Sequence, residues 1–177
     1  MPQMFDDVDL AVAGAWRAEW RADEVHWSRA ALERWEHDRT LVDVLRDCMH
    51  RGDVVALAFA TVTFTGVVTS VGDDFARIGT PDGAVDVHVT SDLPAVLRVV
   101  TPARRGGGRG DTTVTTFAAR LRQLEGTRVR LGVGMCDDAL DGALLVGREQ
   151  VSVVGREGAR AYVAIGSVAW VRPVDVD

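Results

Sequence analysis

Residues 51–100 read RGDVVALAFATVTFTGVVTSVGDDFARIGTPDGAVDVHVTSDLPAVLRVV, and this stretch decides the fold. Short β-branched runs alternate with Gly, Asp and Pro, which is the pattern of short strands joined by turns. The Asp82-Gly83 pair is the strongest hairpin signal. We predict five strands that form a small barrel or meander, at 54–64, 66–71, 75–79, 84–89 and 95–100.

The same arrangement returns about 75 positions later, in residues 125–174. Glu157-Gly158 takes the place of Asp82-Gly83, and Gly147 takes the place of Gly72. Similarity at a fixed period indicates a duplicated structural unit. We therefore predict a second set of five strands, at 127–133, 142–146, 151–154, 159–165 and 168–171.

A short helix is predicted in front of each set of strands. Residues 41–50 follow Thr40, a residue suited to an N-cap, and precede Gly52. Residues 115–124 have apolar side chains on one face and precede Gly126. The predicted fold class is mainly β with helices (α+β), with two tandem small β-barrels, each preceded by a short helix, and a further N-terminal helix.

Residues 6–38 are predicted to form this N-terminal helix, because they are rich in Ala, Arg, Glu and Trp and contain no proline. Four tryptophans fall along one face of it. We expect them to pack the helix onto the barrels or onto a second copy of the chain, in partner binding or dimerisation. They are Trp16, Trp20, Trp27 and Trp35.

Composition limits the classes of function. The chain has 177 residues, of which 47% are hydrophobic, and it contains no apolar run long enough to cross a membrane. The N-terminal stretch is acidic and does not resemble a signal peptide. These features predict a cytoplasmic protein with no membrane partner. The chain is divided into a Trp-rich segment (1–39), a first barrel (40–100), a linker (101–114) and a second barrel (115–177).

Charge is unevenly distributed along the chain. The net charge is −6: residues 1–39 and 40–100 have −4 each, residues 101–114 have +2, and residues 115–177 have zero. The acidic first half disfavours broad, non-specific binding of nucleic acid. All 20 basic residues are arginine and the chain has no lysine or asparagine, which is typical of a GC-rich genome. Abundant arginine is therefore weak evidence for phosphate recognition.

A short helix followed by five strands, with a glycine in the second strand, resembles the Sm-like fold. The resemblance lies in residues 54–57, 66–73 and 87–96 of the first copy and residues 129–133, 142–147 and 162–168 of the second. It covers both barrels but neither the N-terminal helix nor the linker. The arrangement is also loosely similar to uncharacterised bacterial two-barrel proteins often labelled Fis-family regulators. That label implies a C-terminal helix-turn-helix, which the strands at the end of this sequence do not support.

The resemblance to RNA-binding Sm-like proteins implies two loops that read bases. Their signature after the second strand is Asp-x-hydrophobic-Asn, of which Asp73 and Phe75 remain without the Asn. Their signature after the fourth strand is a basic residue, Gly, then Asp or Asn, of which only Gly166 remains in the second copy. The groups that would read bases are mostly absent.

The linker resembles the arginine-glycine segments that contact RNA backbones. Arg104, Arg105 and Arg109 lie among glycines there, although an exposed, solvated linker has the same composition. Elsewhere Cys48 and Cys136 have no CxxC spacing, and the histidines are scattered. No GxSxG motif or calcium-loop spacing occurs. We therefore predict no catalytic residue, no metal site and no cofactor.

Two functions follow from these patterns. The first is a non-catalytic tandem Sm-like protein that acts as a macromolecular-interaction or regulatory module, with a protein partner or a second copy of itself. The alternative is an RNA- or DNA-binding regulator that uses the arginines of the linker with Phe75 and the barrel loops.

Overall fold

The computed structural model describes residues 27–59, 62–90, 92–93, 95–103, 106, 114–134, 136 and 138–174. The chain divides into two compact units, residues 1–40 and 41–177. In the first unit, residues 27–38 form helix α1. Trp27 and Trp35 are both exposed, and the Arg39 guanidinium lies 4.1 Å from the centre of the Trp35 ring. Trp16 and Trp20 lie outside the described residues.

The second unit is a ten-stranded sheet with two helices. In chain order its elements are α2 (Leu41–Arg51), β1 (Val54–Phe59), β2 (Val62–Val71), β3 (Phe75–Thr80), β4 (Gly83–His88), β5 (Ala95–Thr101), α3 (Phe117–Gln123), β6 (Arg128–Val133), β7 (Ala139–Val146), β8 (Gln150–Val154), β9 (Arg160–Ala164) and β10 (Val168–Pro173). A 3₁₀ turn, Ile165–Ser167, joins β9 to β10. We call residues 41–101 the first half and residues 114–174 the second half.

The strand order is β5-β1-β2-β3-β4-β10-β6-β7-β8-β9, and every neighbouring pair is antiparallel. The predicted mainly β, α+β class is confirmed. The sheet is open rather than a closed barrel, and β4 and β10 join the two halves into one sheet. Within each half, the fifth strand lies beside the first, and the second, third and fourth strands follow in order.

The predicted single strand at 54–64 is wrong, because the structure has two strands there. β1 and β2 pair with Phe59 opposite Val62. No Gly, Asp or Pro separates the two runs in the sequence, so the usual turn signal is missing. The second-half strand predicted at 142–146 also begins earlier, at Ala139.

A glycine in the second strand of each half allows a close approach of backbone. A Cβ at Gly66 in β2 would collide with the Gly79 carbonyl of β3. A Cβ at Gly142 in β7 would collide in the same way with the Val154 carbonyl of β8. Only glycine fits where a neighbouring backbone comes this near.

Two hydrophobic clusters form the core, and each takes side chains from both halves. Phe75 of β3 belongs to the cluster built around Phe117 and Leu121 of α3. In the other direction, Ala169 and Trp170 of β10 belong to the cluster built around the first half. Because the halves exchange side chains as well as hydrogen bonds, they are packed together as one unit.

Candidate functional site

Strand β5 forms one edge of the sheet and is unusually apolar for an edge. It pairs with β1 on one side and has no sheet partner on the other among the described residues. Val96, Val99 and Val100 are 53%, 44% and 54% exposed. Natural edges are usually protected by charged residues or proline, but β5 has one charge, Arg98, and no proline. Such an edge can accept a further strand.

Strand β9 forms the opposite edge. Its inner side pairs with β8, with Tyr162 opposite Ser152. The Tyr162 side chain is 61% exposed, and Arg160 is the only charged residue of the strand. This edge therefore also presents a large, mostly apolar side chain, and β9 has no second strand partner within the described part of the chain.

The two halves of the sheet join where β4 pairs with β10, and this junction involves the strands that correspond to the two edges. In β4 and β10, Asp86 lies opposite Val171, and Val87 lies opposite Trp170. In the strand order, β10 holds the place in the second half that β5 holds in the first, and β9 holds the place of β4. The two edge strands, β5 and β9, therefore correspond to β10 and β4, the two strands that pair with each other within the chain.

A buried carboxylate ties the junction together. The side chain of Asp86 is 0% exposed and accepts hydrogen bonds from Arg77 Nε at 2.8 Å and Arg120 Nε at 2.8 Å. Arg77 belongs to β3 and Arg120 to α3, so the carboxylate links the two halves. Burial raises the pKa of Asp86, and the Arg77 guanidinium opposes that shift.

His88 lies in the same junction, where its ring stacks on Phe117 with 4.5 Å between ring centres. Its Nδ1 is 3.0 Å from the Val168 carbonyl oxygen, which can only accept, so Nδ1 donates. Burial lowers the pKa of His88, although the bond to Val168 and the nearby Asp74 carboxylate oppose this shift. The neutral ring is therefore a packing element between β4, α3 and β10.

The loop after β2, which the resemblance marks for base contact, is covered by the chain's own second half. Asp74 Oδ1 accepts a 2.6 Å hydrogen bond from Phe117 N, and Asp73 N donates to the Thr115 carbonyl at 2.6 Å. Phe75 is 2% exposed and lies 6.4 Å from Phe117 between ring centres. The Phe75 ring is therefore not open to stack on a base.

The remaining sequence-predicted residues are dispersed. Gly166 lies in the 3₁₀ turn before β10, with open space where a Cβ would stand. Arg104, Arg105 and Arg109 lie outside the described residues. Trp27 and Trp35 belong to the first unit, where they are 67% and 52% exposed.

Grouped metal ligands and membrane-spanning helices are both absent from the part of the chain that the structure describes. Within it, no three His, Cys, Asp or Glu side chains are grouped as a metal ion would require. None of its helices combines the length and the apolar character needed to cross a membrane.

Comparison with protein-family models and with curated proteins finds no match for the chain. The candidate site therefore depends on the geometry alone. Sequence reasoning missed the two edges, because edge position depends on strand order. The only sequence signal was the apolar run at 95–100, which by itself is equally typical of a central strand.

Proposed function

We propose that this chain is a non-catalytic interaction module in which two Sm-like halves share one open sheet, and that it assembles with further copies of itself through β5 and β9. The strand order is the same in both halves, and a short helix precedes each one. A glycine at a close backbone approach lies in the second strand of both halves. These shared features support the Sm-like interpretation.

The observation behind the assembly is the pairing of β4 with β10. One surface of the first half already binds one surface of the second half inside a single chain. The corresponding surfaces, β9 and β5, have no strand partner among the described residues. A second copy of the chain offers the edge that each of them fits.

The internal junction also predicts the register between two chains. Gly52 and Gly126 both have φ of 78° and lie between a leading helix and the strand that follows it, which aligns Leu57 with Leu131. Their partners, Leu97 and Val171, then correspond.

The other strand is aligned in the same way. Gly72 N bonds to the Phe75 carbonyl and Gly147 N to the Gln150 carbonyl, so Phe75 corresponds to Gln150. Pairing then aligns Asp86 with Tyr162. Because Val171 faces Asp86 inside the chain, we expect Leu97 of one copy to face Tyr162 of the next.

Light scattering after size exclusion tests the assembly. We expect the molar mass of the unaltered protein to exceed that of one chain. Val96→Glu should lower the measured molar mass towards that of a monomer. A charged side chain on an edge strand opposes edge-to-edge pairing. Leu145→Glu is the matched control, because Leu145 is 39% exposed but lies on β7 inside the sheet. A monomer at every concentration, or equal masses for the two variants, would contradict the proposal.

A further inference from the structure

A cavity of about 370 Å³ opens between the two halves, away from both sheet edges. Its walls come from the start of β2, from β6, from the beginning of β7 and from β10. Its lining includes Phe64, Arg130, Gly132, Cys136, Trp170 and Arg172.

Two positive charges face each other across this cavity wall. Arg130 of β6 and Arg172 of β10 are directly opposite in the antiparallel register. Side chains at opposite positions lie on the same face of a sheet, and like charges placed there destabilise the pair. Asp141 of β7 lies opposite Arg130 on the other side of β6 and offsets part of this repulsion, so the unmet positive charge lies mainly at Arg172.

The described residues leave Arg172 without a strong counter-charge. Among the described residues, Arg172 Nε is buried without a hydrogen-bond partner. Asp82 is 80% exposed and its Oδ2 lies 4.0 Å from Arg172 Nη1, which is a weak contact. Asp138 lines the cavity, but no ion pair joins it to either arginine among the described residues. An anion from outside would relieve the repulsion and occupy the open donor.

An aromatic wall adjoins the two arginines. The Trp170 indole covers Gly132, its partner in the register, and a Cβ at Gly132 would collide with the indole nitrogen. Phe64 meets Trp170 edge-on, with 5.1 Å between ring centres. The Arg172 guanidinium carbon lies 5.7 Å from the centre of the Phe64 ring. The cavity thus combines a cationic side with an apolar side, which is formed by the small uncovered parts of Trp170 and Phe64, 8% and 5% exposed.

We propose that this cavity binds a small organic anion, whose phosphate or carboxylate group lies between Arg130 and Arg172 and whose flat apolar part rests against Trp170 and Phe64. Guanidinium groups hold such oxyanions through paired, charge-assisted hydrogen bonds. The volume suits a small-molecule ligand. None of the lining residues lies on β5 or β9, so the site is independent of self-assembly.

Calorimetric titration with three probes tests the ligand class. We expect phenyl phosphate to bind most tightly, inorganic phosphate more weakly and neutral benzyl alcohol least. Arg130→Gln and Arg172→Gln should each weaken phenyl phosphate about tenfold or more, because each removes hydrogen bonds between charged groups. Arg156→Gln is the matched control, since Arg156 is exposed in the turn between β8 and β9. Carboxylate ligands are tested in the same way with benzoate.

Two further readouts separate binding from a structural role. Cys136 is exposed and lines the cavity, whereas Cys48 is buried, so phenyl phosphate should slow the alkylation of Cys136. Without ligand, Arg130→Gln should leave the melting temperature nearly unchanged, because it removes both the repulsion from Arg172 and the attraction to Asp141. A structural role would lower it.

Three outcomes would overturn the proposal. The first is an absence of phenyl phosphate binding, and the second is binding that Arg156→Gln weakens as much as the cavity variants do. Equal affinity for inorganic and phenyl phosphate would overturn the ligand class, because the aromatic wall would then contribute nothing.

Discussion

At the scale of single residues, Asp86 is the group on which the junction most depends. Its carboxylate is 0% exposed and is bound by two arginines whose side chains are 31% and 15% exposed. Asp86→Asn would leave these guanidinium groups partly buried without their counter-charge. We expect a loss of about 3–5 kcal/mol in the free energy of unfolding, measured by urea denaturation.

Asp82→Asn is the control for this change. Asp82 lies in the turn between β3 and β4 and is 80% exposed, so its substitution should alter the free energy of unfolding by no more than about 0.5 kcal/mol. Equal effects of the two substitutions would show that the buried ion pairs do not stabilise the junction.

Residue roles are the part of the site that the sequence predicted least. The loop signature placed Phe75 where its ring could contact a base, but the ring is buried against Phe117. That contact joins residues far apart in the chain, and its presence depends on where α3 packs. The Arg130–Arg172 pair was missed for a related reason, because register between distant strands is not a local property.

At the scale of elements, local sequence signals predicted the helices and strands better than they predicted the roles of single residues. Both leading helices were expected and found, with ends near a capping residue and a glycine. Most strand ends agree within a few residues, because the turns contain Gly, Asp or Pro. The prediction of a single strand at 54–64 was wrong, because no Gly, Asp or Pro marks the turn between β1 and β2.

Helix α3 is seven residues long, too short to be stable by itself, so its first turn depends on tertiary partners. Thr116 caps Ala119 N, and Asp74 from the first half accepts from Phe117 N. Asp74→Ala should lower the free energy of unfolding by about 1–2 kcal/mol, because a buried N–H loses its acceptor. Hydrogen exchange at Phe117 should also become faster.

The neighbouring Asp73 supplies the control. It is exposed and contributes its backbone N–H to Thr115, a bond that Asp73→Ala would retain. This variant should leave both stability and exchange at Phe117 nearly unchanged. If it destabilises the protein as much as Asp74→Ala does, the cap is not the cause.

At the scale of the whole molecule, the sequence predicted two similar halves but not their joining. Whether the halves close separately or share a sheet depends on β4 and β10, which are about 80 residues apart. No short sequence pattern identifies β10 as the partner of β4, because the sequences of different edge strands resemble one another. The shared sheet leaves two unlike free edges, and this asymmetry determines how copies could combine.

Because β5 and β9 differ, the proposed contact between copies is heterologous and need not stop at a dimer. Val96→Glu blocks the first edge and Tyr162→Glu blocks the second. Each variant alone should be monomeric by light scattering. An equal mixture should form a dimer of one chain of each kind and nothing larger, since β9 of the first variant and β5 of the second remain intact.

A symmetric contact gives a different result. If two β5 edges paired with each other, Tyr162→Glu alone would still dimerise and mixing would add no new species. If two β9 edges paired, Val96→Glu alone would dimerise instead. Light scattering of the two variants, apart and mixed at equal concentration, therefore distinguishes the three arrangements. The head-to-tail arrangement requires two monomers that become a dimer only when they are combined, because neither chain alone then offers both unlike edges.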